Sequence, residues 1–254
     1  MAKTIIVVAT NSLTNTQYEA YTNHIQKWYN LGRMKKYRNL QFILMNPARM
    51  SIDRMRNLAA KTALEVGAKY LLFLDDDVLI QPDGLGRLLD AKADIAAGKV
   101  VIRGYPFDWM IFKKKGKGLF PCPSLPETGV EPCDAVGFSF CLIKVDLLKK
   151  IPTTHQPYFV TGVNNTEDIY FCIRARQADP KCTIVCACDA LCGHILWPEV
   201  MDANNRLEYK RYFERMNPSL VKAKKQEAID KIRNKRGDRG GSYLADVKEI
   251  TKNA

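Results

Sequence analysis

Three consecutive aspartates, Asp75, Asp76 and Asp77, close the run YLLFLDDD that starts at Tyr70. The stretch from Tyr70 to Leu74 is short and mostly apolar, which suits a strand buried on both faces of a sheet. The carboxylates then emerge together at the C-terminal end of that strand, where open α/β sheets place their ligand crevice. Carboxylates packed this closely repel one another unless a cation sits among them. Hard oxygen donors suit Mg2+ or Mn2+, ions that commonly bridge to the phosphates of a substrate. The competing reading is a solvated acidic turn that caps the next helix.

The elements around this cluster alternate. Thr4 to Ala9 (TIIVVA) is a β-branched run, followed by the turn residues Thr10-Asn11-Ser12. Leu40 to Met45 reads as a second strand. Ser51 to Val66 has helical spacing, with Ile52, Met55, Leu58, Ala59, Thr62 and Ala63 near one side and Gly67 as a stop. After the aspartates, Pro82 and Asp83 open a segment with Leu85, Leu88, Leu89 and Ala93 at helical spacing. Strand, helix, strand, helix, strand, aspartates, helix in this order argues for an α/β fold with a mostly parallel sheet.

At this point the chain resembles nucleotide-sugar glycosyltransferases of the GT-A fold, close to the large family-2-like group. Arg56-Asn57 followed by GAKYLLFLDDD matches that family's Arg-Asn pair, helix, strand and DXD motif. Residues 98–107 (GKVVIRGYPF) resemble its next strand. Residues 134–151 (DAVGFSFCLIKVDLLKKI) resemble the segment that lines the sugar site. Thr166-Glu167-Asp168, opening TEDIYFCIRARQ, matches the acidic motif near the acceptor, and Gly193-His194 matches a late histidine that completes the metal site. The matching elements span residues 4 to 200, in one order.

The resemblance implies a metal-dependent transfer from a nucleotide-sugar donor, with Mn2+ or Mg2+ holding the diphosphate. It makes Asp77 the first metal ligand, with Asp75 and His194 as further ligands; Asp75 and Asp76 are also donor-binding positions. Asp168 is the candidate general base, beside Glu167, because an inverting transfer needs a carboxylate to take the acceptor's proton. Acids at a helix start also cap the dipole for structural reasons. Arg56 corresponds to a residue that approaches the nucleotide or diphosphate; its alternative is a surface charge. Gly137 would let backbone approach the sugar, or would mark a β-bulge. Thr10, the first turn residue after the first strand, is a donor-binding position on the same resemblance. Trp109 and Trp197 flank the presumed site.

Composition sets the remaining bounds. A chain of 254 residues holds one large α/β domain, here residues 1–200, with a basic C-terminal extension over 201–254. No apolar run approaches the about 18 residues of a membrane span, and the N-terminus runs straight into a strand rather than a signal peptide. The expectation is therefore a cytoplasmic protein. The eight cysteines read mostly as small buried hydrophobes. Cys182, Cys186, Cys188 and Cys192 lack the C-x2-C spacing of zinc modules, and a Cys122–Cys133 disulfide is disfavoured in reducing cytosol.

The net charge of +12 is unevenly placed. Residues 99–118 carry six Lys/Arg against one Asp, and residues 205–254 carry fourteen against seven Asp/Glu. Residues 103–133, with KKKGKG at 113–118, read as a long loop over the active-site edge. Basic patches beside an acidic site suggest a polyanionic partner, or a plain solvated surface. Some phage enzymes of this broad type glycosylate hydroxymethylated pyrimidines in DNA, which makes DNA a candidate acceptor through residues 113–117 and the C-terminal segment. A cell-envelope glycan or a lipid-linked acceptor is the rival. A non-catalytic nucleic-acid-binding protein would explain the charge but not the acidic clusters or His194.

Overall fold

A computed structural model of the chain describes residues 3–10, 39–45, 50–116, 118–152, 154, 156–162, 165–196 and 199–235. Asn11, Ser12, Lys117, Trp197 and the tail after residue 235 lie outside the described residues.

From residue 40 to residue 90 the described elements follow the order read from the sequence; residues 11–38, where that order places a first helix, lie outside the described residues. Strand β1 (Thr4–Ala9) pairs in parallel with β2 (Leu40–Met45) and with β3 (Tyr70–Leu74). Helix α1 (Ile52–Glu65) joins β2 to β3, and Gly67 leaves it with φ +63°, a left-handed conformation that glycine adopts without steric cost. Short strand β4 (Val78–Ile80) and helix α2 (Gly84–Asp90) follow the aspartates, leading to β5 (Ile95–Lys99).

Residues 103–133 are not the loop that their Lys/Gly/Pro content suggested. Strand β6 (Trp109–Lys115) and strand β7 (Gly118–Cys122) form an antiparallel hairpin, and β8 (Val130–Pro132) follows. Trp109 and Ile111 point into the core while Met110 and Phe112 are half-buried, so the strand period is present. Composition hid it because the lysines lie at the hairpin's tip, where Gly116 turns the chain at φ +59°.

Strand β9 (Ala135–Val136) completes a small sheet in the order β7-β6-β9. Strand β10 (Phe140–Lys144) then enters the main sheet antiparallel, between β3 and β5. After helices α3 (Val145–Lys150) and α4 (Glu167–Ala178), the long strand β11 (Ile184–Leu196) pairs in parallel with β5. Strand β12 (Glu199–Met201) lies on its outer side, giving the main order β12-β11-β5-β10-β3-β1-β2. Among the described residues the central sheet is thus parallel except for β10 at its middle and the short strands at its edge.

Strand β3 is buried on both faces, as its apolar run required. Leu71 and Phe73 join a core with Met55, Ala59 and Ala63 of α1 and Phe171, Cys172 and Ala175 of α4. Leu72 and Leu74 face the opposite way, onto Leu85 and Leu88 of α2. The sheet packs closely at Gly98, where an added Cβ would sit 2.6 Å from the Phe140 ring and 3.0 Å from Cys192 Sγ.

The C-terminal extension begins with α5 (Arg206–Met216) and α6 (Pro218–Lys235). Tyr209 and Phe213 of α5 pack back on the core. Leu207, Tyr212 and Met216 of the same helix instead face solvent at 50%, 59% and 59% exposure.

Candidate functional site

The acidic turn is placed by hydrogen bonds to two neighbouring strand ends. Asp75 N–H donates to the carbonyl of Ser139, just before β10, at 2.8 Å. Val78 N–H donates back to Asp75 O at 3.3 Å and closes the turn. Strand β4 then folds against the far end of β11, in a register that sets Val78 opposite His194. Ile195 N–H donates to Asp77 O at 2.8 Å. Residues 117 positions apart thereby meet: His194 Nε2 lies 3.6 Å from Asp77 Oδ1.

The histidine's orientation is fixed from behind. Its Nδ1 is 2.7 Å from the carbonyl of Val101, which can only accept, so Nδ1 carries the proton. In the neutral ring, Nε2 then presents a lone pair toward a carboxylate. Both groups are buried, at 5% and 6% exposure. Two electron-rich atoms held face to face need a proton or a cation between them, and a carbonyl-anchored imidazole is the usual support of a metal ligand. Asp77 Oδ2 accepts from Arg103 Nη2 at 2.5 Å. Burial alone would raise the Asp77 pKa; with the bridging proton on Nε2, the His194 imidazolium together with Arg103 outweighs it and holds the carboxyl below its ordinary range.

Asp75 faces a different partner. Arg56 Nη2 lies 3.6 Å from Asp75 Oδ1, and Arg56 Nη1 pairs with Glu167 Oε1. Arg56 is 3% exposed, and its guanidinium lies 5.3 Å from the centroids of both Phe73 and Phe138. One arginine therefore ties the aspartate turn to the first residue of α4. Burial pushes the Asp75 and Glu167 carboxyls up, while Arg56 opposes that in both cases. The adjacent Asn57 locks the chain before α4: its Nδ2 donates to Phe159 O at 2.7 Å and its Oδ1 accepts from Phe159 N–H at 3.1 Å. Asp168 is 7% exposed; its Oδ1 accepts from Ile169 N–H at 2.7 Å and from the Thr166 hydroxyl. Its Oδ2 has no protein partner among the described residues.

The remaining sequence candidates are more peripheral. Asp76 is buried beside its neighbours. Thr10 follows β1, is fully buried, and its Oγ1 has no hydrogen-bond partner among the described residues. The β1–β3 register sets it level with Leu74, one residue before the aspartates. Gly137 sits under Met110: an added Cβ would lie 2.4 Å from Met110 Cε, and Gly137 N–H donates to Met110 O at 2.7 Å. Trp109 is 3% exposed and lies 4.9 Å from Lys99 Nζ and 4.6 Å from the Arg206 guanidinium, so it is a core residue under two cations. All eight cysteines are buried and none is in a disulfide.

Sequence reasoning missed Arg103, counted only as charge, and Arg206, a buried cation near the start of the extension. Position gave the one available signal for Arg103, since it follows β5 at the same end of the sheet as the aspartates.

Among the described residues no three His, Cys, Asp or Glu side chains converge as a complete metal cage. Asp77 and His194 are the pair that would hold a cation here. That donor set fits Mg2+ or Mn2+, which usually take one or two protein groups and complete their shell with water and substrate phosphates.

No protein-family model matches the chain, and no curated protein sequence does. Solved structures do. The protein A197 from STIV is 15% identical, with a TM-score of 0.50 over 77% of this chain and 86% of its own. S. aureus TarS, residues 1–349, is 18% identical with a TM-score of 0.39, over 74% of this chain and 58% of that one. GalNAc-T7, solved with UDP, GalNAc and Mn2+, is 11% identical with a TM-score of 0.45, over 77% of this chain and 44% of that one. The fold is GT-A-like. At such identities the likeness is one of fold, and the chemistry must be argued from the side chains.

Proposed function

We propose that this chain is a glycosyltransferase that moves a sugar from a nucleotide-sugar donor to an acceptor hydroxyl, with Mn2+ or Mg2+ at Asp77 and His194. The carrying observation is the Asp77–His194 pair at the C-terminal end of β3, with Nε2 aimed at the carboxylate because Nδ1 is committed to Val101 O. The motif resemblance over residues 4 to 200 supports the same reading. A divalent cation there would supply the positive charge that a departing nucleoside diphosphate needs.

The chain's own groups have distinct parts. Arg56 keeps the half-buried Asp75 and the buried Glu167 together and so sets the distance between the aspartate turn and α4. Asp168 takes the acceptor's proton through Oδ2, while Thr166 and Ile169 N–H hold Oδ1 and fix the carboxylate plane. Glu167, committed to Arg56, orients rather than accepts. Thr10 Oγ1 is a donor-side contact, since a buried hydroxyl without a partner otherwise costs free energy.

The acceptor reading follows from charge. A hydroxymethylated base in DNA fits Lys113, Lys114 and Lys115 toward the hairpin tip, the further lysine at 117 in sequence, and the Lys/Arg content of the C-terminal segment. One observation favours a second reading, a lipid-linked or envelope-glycan acceptor at an anionic membrane. Leu207, Tyr212, Met216 and Leu220 are exposed beside the basic residues of α5 and α6, a combination that suits a membrane interface. Among the described residues no helix is long and apolar enough to cross a membrane.

The test is a panel of nucleotide sugars with Mn2+. The reading expects nucleoside diphosphate release from one of them, lost with chelator. A panel that yields neither release nor binding overturns it. Duplex DNA and anionic vesicles, compared for binding, separate the two acceptors.

A further inference from the structure

Arg103 makes a contact that the sequence motifs do not contain. Its side chain is half-exposed, at 54%, yet one guanidinium nitrogen reaches the buried Asp77 Oδ2 at 2.5 Å. The loop that presents it is held on all sides. Ile102 N–H donates to Asp108 O at 2.8 Å, and Phe107 N–H to Gly104 O at 2.8 Å. Phe107 has φ +59°, a conformation that a non-glycine residue keeps only when its surroundings over-determine it.

Those surroundings are α5. The Tyr105 and Phe213 rings stack at 5.4 Å, and Phe107 meets Phe213 edge-on at 5.8 Å. Tyr105 OH donates to Glu214 Oε1 at 2.8 Å, and buried Arg206 donates to Phe107 O at 2.9 Å. The C-terminal extension thus fixes the loop that aims Arg103 at the candidate metal carboxylate.

A divalent cation between Asp77 Oδ1 and His194 Nε2 would add a second positive charge to the carboxylate whose Oδ2 holds Arg103. The two cations repel, and that repulsion loosens the guanidinium from Oδ2. The released group is planar, permanently charged and suited to bidentate contact with phosphate oxygens. It stays within reach of Asp77, where a diphosphate held by the same cation has to lie.

We propose that Arg103 is the exchangeable cation of the donor site. It neutralises Asp77 while no donor is bound, and it closes on the nucleoside diphosphate when donor and divalent cation enter together. This rests on the glycosyltransferase reading above and adds a residue and an order of events to it.

The exchange makes two effects of opposite sign. Removing Arg103 takes a competitor from Asp77 and a partner from the diphosphate. Arg103→Ala should therefore bind Mn2+ alone more tightly than wild type, by about tenfold, while binding uridine, guanosine or thymidine diphosphate with Mn2+ more weakly, also by about tenfold. Arg103→Lys, which keeps the charge, should fall between on both. Calorimetry gives the nucleotide affinities and electron paramagnetic resonance the free Mn2+, on full-length proteins whose melting temperatures are compared first. A structural role moves both affinities the same way. Unchanged or same-sign shifts in Arg103→Ala, with wild type binding a nucleoside diphosphate, overturn the exchange alone. Wild type that binds no nucleoside diphosphate with Mn2+ overturns the donor site itself and the exchange with it.

Discussion

Asp77 is held by His194 on one oxygen and Arg103 on the other, so in the proposed donor site a single carboxylate decides whether a cation binds. Asp77→Asn keeps the shape and the turn but removes the charge. Loss of one ligand charge should lower turnover by more than about 100-fold and abolish measurable Mn2+ binding, with an unchanged melting curve. Near-normal turnover would move the metal elsewhere. Asp168→Asn should act differently. It keeps the bonds from Thr166 and Ile169 N–H but cannot take a proton, so transfer should fall by about 10²–10⁴-fold while nucleotide affinity stays. Transfer that persists would make Asp168 a helix cap, the role its Oδ1 already fills.

Arg56 belongs to the scale of elements, because it joins the turn after β3 to the start of α4. Arg56→Ala leaves Asp75 and Glu167 facing each other without their common counter-charge. Breaking a buried ion pair from one side costs about 3–5 kcal/mol. Burial already raises both carboxyl pKa values, so as pH falls they take up protons in the folded variant sooner than in the unfolded chain. The loss of stability in Arg56→Ala should therefore be largest at neutral pH and shrink toward pH values near the carboxylate range. Denaturant melts across pH check this, and a pH-independent loss contradicts the bridge. Within the sheet, Gly98→Ala places a methyl 2.6 Å from the Phe140 ring. Overpacking of this kind costs about 1–3 kcal/mol, read as a lower melting midpoint; a neutral substitution would show that the β5–β10 contact yields.

For the whole molecule, the sequence made the sheet legible and left the extension's role hidden. The apolar run before Asp75 and the helical spacing of Met55, Ala59 and Ala63 let β3 and α1 follow from residue types. The hairpin of β6 and β7 did not, because lysines and glycines at its tip outweighed the alternation of Trp109 and Ile111. The site divides in the same way. The acids could be read from their clustering, but the Asp77–His194 meeting depends on the antiparallel register of β4 on β11, and Arg103 depends on α5 packing. Neither is a local property. The basic surface also acts as a whole. If the acceptor is DNA, duplex binding should weaken steeply with salt, and changing Lys113, Lys114 and Lys115 together to Ala should lower the log–log slope by about one unit per lost phosphate contact. Lys113 already pairs with Glu131, so the expected loss is smaller than three contacts would give. No duplex binding at low salt removes DNA as the acceptor. The central claim, a donor site built on a cation at Asp77 and His194, is tested most directly by calorimetry of nucleoside diphosphate binding with Mn2+ and with chelator. The account predicts binding with Mn2+ that weakens at least about tenfold, about 1.4 kcal/mol, when the metal is removed. Equal affinity in both conditions contradicts it.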